Sequence, residues 1–410
     1  MKILNLSKPQ SPIKAEIKLV SSKSESNRAL IINAVGGNQC QLDNLSEARD
    51  TQTMLRLLAS TDEVLDVIDA GTTMRFLTAY LSMKGSNKTL TGTARMCDRP
   101  IGILVDALKS IGANIEYVQK DGYPPLKISA FNYNGNNKIK IKGDVSSQYI
   151  SALLMSAPLL PDGLFLELEG KISSKPYIEM TLDLMKHFGV SSTWVDSQTI
   201  HVPKQQYTAG QYTIESDWSG ASYWFSIVSL SENAEIELLG LKKNSLQGDS
   251  AIVDIMTDLG VKSEFTERGV LLKKSSVVTQ KHIDFSNCPD LAQTVAVVAA
   301  AHKVDLTLTG LESLRIKETD RIAAIQNELK KFGADMVEEK DNFFRIINKG
   351  EFFAHKNVVV DTYDDHRMAM AFAPLALLGD LQIEEPDVVK KSYPGYWRDL
   401  ESINFKMEIK

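Results

Sequence analysis

Cysteine and histidine are scarce in this 410-residue chain, and neither is arranged as a cross-linking or metal-binding framework. The three cysteines, Cys40, Cys97 and Cys288, are odd in number and include no C-x-x-C pair. A disulfide scaffold or a zinc ribbon is therefore not expected. No H-E-x-x-H pattern or other close histidine pair is present. Since a metal centre would have to be assembled from distant ligands, we expect no metal.

Positive charge is also not in excess. Lys and Arg number 46 against 52 Asp and Glu, which gives a formal net charge of −6. Because nucleic-acid binding depends on cations that neutralise phosphates, a nucleic-acid partner is not expected. No apolar run approaches the roughly 18 residues of a membrane span, and the N-terminal residues become polar too early for a signal peptide. We expect a cytoplasmic protein without a membrane partner.

Glycine and proline stand at ordinary levels, with 24 and 13 residues, and no Gly/Ser-rich or Pro-rich linker is present. Hydrophobic residues make up 43% of the chain and charged residues 24%. These values exclude collagen, coiled coils and intrinsic disorder. At about 150 residues per domain, the length predicts two domains or one large two-lobed body.

One element occurs four times: a helical pattern, then Gly-Ala or Gly-Val, then a β-rich segment. Its glycines are spaced 77, 71 and 73 residues apart, at Gly112, Gly189, Gly260 and Gly333. A glycine in this place can end a helix in the left-handed conformation, and the segment after it predicts a hairpin. A fifth candidate, QTMLRLLASTDEVLDV, lacks both the glycine and the hairpin.

A second element occurs six times: a polar start that runs into a helix rich in Ala, Ser and Met. The copies begin near Ser24, Thr72, Ser147, Ser219, Asp290 and Asp365. Because these helices are apolar most of the way round, we expect them to be buried, with strands outside them. Six units divide most simply into two α/β domains of three units. We place residues 1–13 and 216–410 in one domain and 14–215 in the other.

The starts of these helices carry cations and hydroxyl groups. In SKSESNRAL, Ser24 and Ser26 lie near a predicted N-cap, and Lys23 and Arg28 are about one helical turn apart. Free N–H groups and the helix dipole, combined with Lys and Arg, bind phosphate or carboxylate. Ordinary serine capping with solvated charges is the alternative for this motif taken alone.

Further helix starts repeat this combination. In IDAGTTMRFL, Gly71 allows close backbone approach, two threonines can cap, and Arg75 lies in the first turn. SSQ at 146–148 is another capped start, and Ser174 and Tyr177 flank a proline that can open a helix. For each of these motifs, a purely structural role in starting a helix is as good an explanation as anion binding.

Charged motifs recur in the second half of the chain. RIKETDRI holds Lys317, Glu318 and Arg321, for which ion pairs on a solvated helix face are an alternative. YDDHRMAM places His366 and Arg367 at the mouth of an apolar helix. The cations at helix starts or their flanking turns are Lys23, Arg28, Arg75, Arg99, Arg321, Arg367 and Lys391. If they meet, they suit a small substrate with several phosphate or carboxylate groups, and we expect them to bind charge rather than stabilise the fold.

Eight segments between Ser22 and Trp397 resemble those of the 5-enolpyruvylshikimate-3-phosphate (EPSP) synthases. They are SKSESNRAL, DAGTTMR, TGTARMCDRPIG, DVSSQYISALLMSAPL, SSKPYIEMTL, RIKETDRI, YDDHRMAM and KKSYPGYW. The resemblance implies a two-domain inverse α/β barrel with three βαβαββ units in each domain and an active site in the interdomain cleft.

The resemblance also implies an activity. The enolpyruvyl group of phosphoenolpyruvate would pass to the 5-hydroxyl of shikimate 3-phosphate, with release of phosphate. The transfer would proceed by addition and elimination through a tetrahedral intermediate. This step belongs to the shikimate pathway, which leads to chorismate and the aromatic amino acids and is the target of glyphosate. No cofactor is implied.

Residue roles follow from the same resemblance. The implied catalytic residues are Asp290, Glu318 and Lys23, with the proton donor open between Glu318 and Lys23. The implied ligands of shikimate 3-phosphate are Lys23, Ser24, Arg28, Ser146, Ser147, Gln148, Ser174, Tyr177, Asp290, Ser313 and Lys317. The implied ligands of phosphoenolpyruvate are Lys23, Gly71, Arg99, Gln148, Arg321, His366, Arg367 and Lys391.

Three departures from the family pattern are visible. The first unit is short between Met54 and Gly71, so a hairpin usual there is expected to be reduced. Phe76 stands where the family commonly has proline, beside the region that bears on glyphosate sensitivity. Ser313 replaces a common asparagine, which affects one expected contact with shikimate.

Two other functions compete with this interpretation. Enolpyruvyl transfer to UDP-N-acetylglucosamine uses the same fold, but that family usually has a reactive cysteine where this chain has Ala94, and an asparagine where it has Ser24. A non-catalytic phosphometabolite-binding protein is the second, although carboxylates such as Asp290 and Glu318 would disfavour pure anion binding. Nothing in the sequence demands an oligomer, so a monomer is expected.

Overall fold

The structure, a computed structural model, describes residues 2–9, 12–278, 282–353 and 358–410. The chain divides into two compact units: unit 1 is Met1–Val20 with Glu215–Lys410, and unit 2 is Ser21–Ile214. The first division falls after Val20 and not at residue 13 as expected. The reason is that the strand Ile13–Lys18 pairs in parallel with the unit 1 strand Ala234–Leu239.

Helices and strands alternate along both units. The helices are α1 Lys23–Val35, α2 Arg49–Ala59, α3 Gly71–Lys84, α4 Ala94–Cys97, α5 Gly102–Ser110, α6 Ser147–Ser156, α7 Lys175–His187, α8 Trp218–Leu230, α9 Ile252–Asp258, α10 Ala292–Ala301, α11 Arg321–Lys331, α12 His366–Phe372 and α13 Tyr396–Ser402. Across the described ranges, none of these helices has the length and apolar character that a membrane span needs.

The strands are short. They are β1 Ile3–Ser7, β2 Ile13–Lys18, β3 Gln41–Asp43, β4 Val64–Asp66, β5 Lys88–Thr91, β6 Ile115–Tyr117, β7 Leu126–Ile128, β8 Lys138–Lys142, β9 Leu164–Glu169, β10 Thr193–Trp194, β11 Thr199–Val202, β12 Gln211–Thr213, β13 Ala234–Leu239, β14 Leu259–Phe265, β15 Gly269–Val277, β16 His282–Asp284, β17 Thr307–Thr309, β18 Ala334–Lys340, β19 Phe343–Asn348, β20 Val358–Val360, β21 Leu381–Glu384 and β22 Lys406–Ile409.

The six apolar helices form where the second repeat predicts them, and they are buried. They are α1, α3 and α6 in unit 2 and α8, α10 and α12 in unit 1. Every residue of α12 is buried, and so is every residue of α3 except Lys84. Exposing apolar side chains to water costs free energy, so a helix without a polar face is stable only in the interior.

The four repeated glycines adopt the left-handed conformation, as predicted. Their φ angles are 105° at Gly112, 86° at Gly189, 89° at Gly260 and 83° at Gly333. An antiparallel hairpin accompanies each of them: β6–β7, β10–β11 and β18–β19 follow their glycines, and in β14–β15 the glycine is the second residue of the first strand. The first repeat is therefore confirmed as a helix, a left-handed glycine and a hairpin.

Each unit holds three sheets in the described residues. Those of unit 1 have four strands each, in the orders β20-β21-β1-β22, β14-β15-β13-β2 and β16-β17-β19-β18. Unit 2 has two four-stranded sheets, β10-β11-β9-β8 and β4-β5-β7-β6, and one of two strands, β12-β3. The shortened sequence after Met54 contributes only β4, which pairs with β5. The expected loss of a hairpin in the first unit accounts for the two-stranded sheet.

Gly112 provides a test of the repeated turn. A Cβ added at Gly112 would lie 2.0 Å from the backbone oxygen of Asn132, whereas one at Gly122 would meet nothing within 4 Å. Both glycines have positive φ. We expect Gly112→Ala to lower the free energy of unfolding by about 2–4 kcal/mol, since it adds a backbone clash to left-handed strain. Gly122→Ala should cost only about 1 kcal/mol. Equal losses in urea unfolding would contradict this account of the turn.

Candidate active site

The chemically active side chains of unit 1 stand at helix starts and in the turns that precede them. Asp290 lies in the 3-10 turn Pro289–Leu291 directly before α10, and Arg321 is the first residue of α11. His366 and Arg367 open α12. Lys391 ends the 3-10 turn Pro386–Lys391. Helix starts have unpaired backbone N–H groups, so polar side chains and anions collect there.

The guanidinium of Arg321 binds three carboxylates at once. Its Nε donates to Asp365 Oδ2 at 2.7 Å, Nη1 to Asp290 Oδ1 at 3.0 Å and Nη2 to Glu318 Oε2 at 2.8 Å. Arg321 is 2% exposed and Asp365 is fully buried. The structure therefore changes one expectation. Arg321 binds charge and also holds the fold, because removing one partner of a buried ion pair costs about 3–5 kcal/mol.

Asp290 lies among three cations. Besides Arg321, Arg367 Nη2 donates to its Oδ2 at 2.8 Å, and Lys317 Nζ lies 3.7 Å from its Oδ1. Burial alone would raise the pKa of Asp290, but the charges of Arg367, Lys317 and Arg321 outweigh it and hold that pKa well below its usual range. Asp290 is therefore ionised, and it can accept a hydrogen bond or a proton.

Glu318 is the second carboxylate of this cluster. It lies between Arg321 and Lys391, whose Nζ is 3.9 Å from Glu318 Oε1. The cluster as a whole contains four cations and three carboxylates, namely Lys317, Arg321, Arg367 and Lys391 with Asp290, Glu318 and Asp365. These ion pairs bring four cations close together in a chain whose net charge is negative.

A buried carboxylate that we did not predict lies beside this cluster. Asp249 contacts the hydroxyl of Ser219, and Arg367 Nη2 lies 3.4 Å from the same hydroxyl. Burial, followed by repulsion from Asp290, raises the pKa of Asp249 to about 7. Its local sequence, QGDS, resembles any polar turn. Only the packing of two distant segments reveals it.

Two further residues that were predicted to bind substrate, His366 and Ser313, are buried or half-buried. The His366 ring is 1% exposed, and its Nδ1 lies 3.7 Å from Asp365 Oδ1. Ser313 is half-buried in the 3-10 turn Glu312–Ile316. Direct contact of either residue with a substrate stays a prediction.

In unit 2, Lys23 is the first residue of α1, and its Nζ lies 3.3 Å from Oδ2 of the buried Asp50. Ser24 and Ser26 lie near the N-cap, as predicted. The cap itself is Ser22, because it has non-helical backbone angles and its hydroxyl accepts the N–H of Glu25 at 3.4 Å. Lys23 and Ser24 therefore occupy the first turn of the helix.

Arg28 is buried between two aromatic rings. Its Cζ lies 5.6 Å from the ring centre of Phe76 and 5.7 Å from that of Tyr177. Its nitrogens donate to Thr181 Oγ1, to the carbonyl of Ser24 and to the hydroxyl of Ser151. Burial lowers the pKa of Arg28 to about 10, so it remains charged at neutral pH. The rings stabilise this charge through cation–π contact.

Two guanidinium groups converge on Gly71. A Cβ at this position would lie 2.5 Å from Nη1 of Arg75 and 2.6 Å from Nη1 of Arg99. Glycine is therefore required for their approach. The expected capping by threonine is wrong, since Ala70 is the N-cap without a side-chain bond. Thr72 instead accepts a hydrogen bond from Gln148 Nε2 at 2.9 Å.

The remaining predicted residues of unit 2 lie at two other helix starts. Ser146 caps α6, and its hydroxyl accepts the N–H of Gln148 at 3.4 Å, as predicted; Ser147 is the first residue of α6. Ser174 precedes α7 in a left-handed conformation, with φ of 56°. Such a conformation is rare for serine and is typical of functional sites.

Comparison with known proteins agrees with the sequence motifs. The family described as EPSP synthase (3-phosphoshikimate 1-carboxyvinyltransferase) matches residues 7–62 and 56–400. A 3-phosphoshikimate 1-carboxyvinyltransferase of Bacteroides fragilis (strain YCH46) is 50% identical over 402 residues, covering 97% of each chain. One from Sulfurovum sp. (strain NBC37-1) is 37% identical over 426 residues, covering 97% of this chain and 98% of its own.

Solved structures share the fold. An EPSP synthase from Acinetobacter baumannii aligns with a TM-score of 0.79 at 19% identity, covering all of both chains. The enolpyruvyl transferase NikO from Streptomyces tendae aligns with a TM-score of 0.76 at 12% identity, covering 100% of this chain and 99% of its own. The predicted fold class, a two-domain inverse α/β barrel, is confirmed.

Asp249 makes the stability of the protein depend on pH. As pH rises from about 4 to 7, the unfolded chain loses this proton and the folded protein retains it, because the folded pKa is raised from 3.8 to about 7. Because only the unfolded chain gains from losing the proton, the free energy of unfolding falls as pH rises over this range. The melting temperature of Asp249→Asn, measured relative to that of wild type, should rise as pH rises from 4 to 8. The exposed Asp254→Asn should follow the wild-type profile. A gain for Asp249→Asn that is equal at every pH would contradict the assignment.

Proposed function

The chain belongs to the EPSP synthase family, and we propose that the ion-paired cluster of unit 1 and the helix starts of unit 2 supply the residues of its reaction. It transfers the enolpyruvyl group of phosphoenolpyruvate to the 5-hydroxyl of shikimate 3-phosphate in the shikimate pathway. The observation that carries the residue assignment is the position of Asp290. It is an ionised carboxylate surrounded by three cations at the start of an apolar helix.

Phosphoenolpyruvate, with a carboxylate and a phosphate, takes the cations. We assign to it Lys23, Gly71, Arg99, Gln148, Arg321, His366, Arg367 and Lys391. Support comes from the four cations gathered in the unit 1 cluster and from the convergence of Arg75 and Arg99 on Gly71. Guanidinium groups bind such anions through paired hydrogen bonds.

Shikimate 3-phosphate takes the hydroxyl-rich helix starts. We assign to it Lys23, Ser24, Arg28, Ser146, Ser147, Gln148, Ser174, Tyr177, Asp290, Ser313 and Lys317. The cap at Ser146 and the left-handed Ser174 present backbone and hydroxyl groups of the kind that bind phosphate. Arg28 is fixed by three hydrogen bonds and two rings, so little side-chain entropy is lost on binding.

The chemistry requires two opposite proton transfers. In the addition, the methylene carbon of phosphoenolpyruvate gains a proton, and the 5-hydroxyl oxygen bonds to its central carbon while losing its own proton. In the elimination, the new methyl group returns a proton and the bond to phosphate breaks. Two groups must therefore exchange roles between the steps, one as acid and one as base.

Asp290 is assigned as the base for the 5-hydroxyl. A strongly lowered pKa makes a weak base, but the lowering depends on Arg367, Lys317 and Arg321. Once the anionic groups of the substrate engage these cations, their effect on Asp290 is partly cancelled and its pKa rises. The site thus becomes basic where it is needed, and only when the substrate is bound. Glu318 is assigned as the acid, with Lys23 as the alternative donor.

The division of proton transfers can be tested with two isosteric variants. Asp290→Asn should bind both substrates but turn over at least about a hundredfold slower, the lower range for loss of a general acid or base. Glu318→Gln should be similarly slow, and in heavy water it should incorporate little deuterium into the methylene group. Rapid-quench kinetics and mass spectrometry measure the two effects, with the exposed Asp284→Asn as the control.

Two results would overturn these assignments. If Asp290→Asn kept near-normal turnover and Glu318→Gln lost only binding, both carboxylates would be positioning groups. If Glu318→Gln incorporated deuterium normally and Lys23→Met did not, Lys23 would be the donor.

A substitution at Arg99 should weaken substrate binding without lowering the stability of the fold. It is half-buried after the short helix α4 and approaches Gly71, unlike the deeply buried Arg321. Arg99→Ala should leave the melting temperature within about 2 °C of wild type. It should lower kcat/KM for phosphoenolpyruvate by more than the tenfold that about 1.4 kcal/mol represents. Arg95→Ala, exposed on α4, is the control. Full activity of Arg99→Ala in a phosphate-release assay would remove Arg99 from the site.

A further inference from the structure

Two consecutive residues with left-handed backbone precede α12. Tyr363 has a φ of 52° and Asp364 one of 55°. Side chains with a Cβ rarely adopt this conformation, and two in succession need specific contacts to hold them. The next residues are Asp365, which caps α12, and the pair that opens the helix, His366 and Arg367. The strained segment therefore determines where Arg367 points.

Glu328 holds this segment from inside unit 1. It lies on α11 and is fully buried. Its carboxylate accepts the hydroxyl of Tyr363 at 2.8 Å and the backbone N–H of Asp361 at 3.2 Å. Lys331 Nζ lies 2.7 Å from the same carboxylate. Burial raises the pKa of Glu328 despite these partners. A carboxylate in so poorly solvated a place forms hydrogen bonds that are costly to lose.

A second attachment lies at the other end of the same helix. Arg321, at the start of α11, binds Asp365 through Nε at 2.7 Å and Nη2 at 3.4 Å. Asp365 Oδ1 in turn accepts the backbone N–H of Arg367 at 2.8 Å. Arg321 and Glu328 are seven residues apart, which is about 10 Å along a helix. The segment Asp361–Asp365 is thus fastened to α11 at two separate points.

These attachments matter because the two arginines repel each other. Asp290 now bridges them, accepting from Arg321 at 3.0 Å with one oxygen and from Arg367 at 2.8 Å with the other. When Asp290 accepts the substrate proton, its charge no longer neutralises them. Their spacing must then be kept by other bonds, and the Glu328–Tyr363 contact lies outside the group of ionic residues that contact substrate.

We propose that Glu328 and Tyr363 are a positioning pair that fixes Arg367 relative to Arg321 and thereby sets the affinity for phosphoenolpyruvate. This inference rests on the proposed assignment of both arginines to that substrate. Neither residue of the pair is a catalytic residue. Tyr363 acts through the strained segment, and Glu328 acts through Tyr363 and the N–H of Asp361.

Tyr363→Phe tests the pair, because it removes one hydroxyl and retains the ring. We expect KM for phosphoenolpyruvate to rise about tenfold, the lower end of the range that loss of one hydrogen bond to a charged group spans. Because only the spacing of the two arginines is disturbed, turnover should fall less than threefold. For the same reason, KM for shikimate 3-phosphate should change less than twofold. Glu328→Gln, which still accepts from Tyr363, should show a smaller rise of the same kind. Lys330→Ala, exposed in the last turn of the same helix, should leave all three constants within about twofold.

Several outcomes would overturn the pair. An unchanged KM for phosphoenolpyruvate in Tyr363→Phe would do so, as would a parallel loss of turnover and of affinity for both substrates, which indicates general loosening. If Tyr363→Phe does not fold, Glu328→Gln decides by the same split between KM and turnover. Calorimetric titration of phosphoenolpyruvate into wild type and variant separates this inference from the reaction. If wild type binds phosphoenolpyruvate but releases no phosphate when both substrates are present, the proposed reaction is refuted. The difference in phosphoenolpyruvate affinity between wild type and variant would still test the pair.

Discussion

The Arg321 guanidinium and its three carboxylates are the interaction on which unit 1 depends most. Asp365, Asp290 and Glu318 come from segments far apart in the sequence, and Arg321 joins them at distances of 2.7–3.0 Å. A buried charge without partners is costly by several kcal/mol, so the chain must bring all four groups together to fold. The arrangement that results also concentrates the proposed catalytic groups at three helix starts. Folding and site assembly are therefore one event in this unit.

The same constraint explains how a chain with a net charge of −6 binds two anionic substrates. The cations of the unit 1 cluster are held at helix starts and in flanking turns by carboxylates. Under the proposed assignment, substrate anions compete with Asp290 and Glu318 for the same partners. The carboxylates would then gain proton affinity as the substrate takes their cations, which would couple binding to proton transfer.

Much of this could be predicted from the sequence, because the signals were local. The left-handed glycines, the hairpins after them and the six apolar helices each follow from patterns within about 15 residues, and the structure confirms them. The N-caps at Ser22 and Ala70 were missed because adjacent serines and threonines compete as caps, and backbone angles decide between them. Asp249 and the Glu328–Tyr363 contact were missed because they join distant segments through single side chains. No periodicity marks such pairs.

The central claim is that Asp290 accepts the proton of the 5-hydroxyl while the neighbouring arginines bind phosphoenolpyruvate. A crystal structure of the protein with shikimate 3-phosphate and a non-reactive analogue of phosphoenolpyruvate tests it most directly. We predict that an Asp290 oxygen lies within hydrogen-bond distance of the 5-hydroxyl, with Arg321 and Arg367 on the analogue. A complex in which another group holds the 5-hydroxyl, and Asp290 keeps both arginines to itself, would contradict the account.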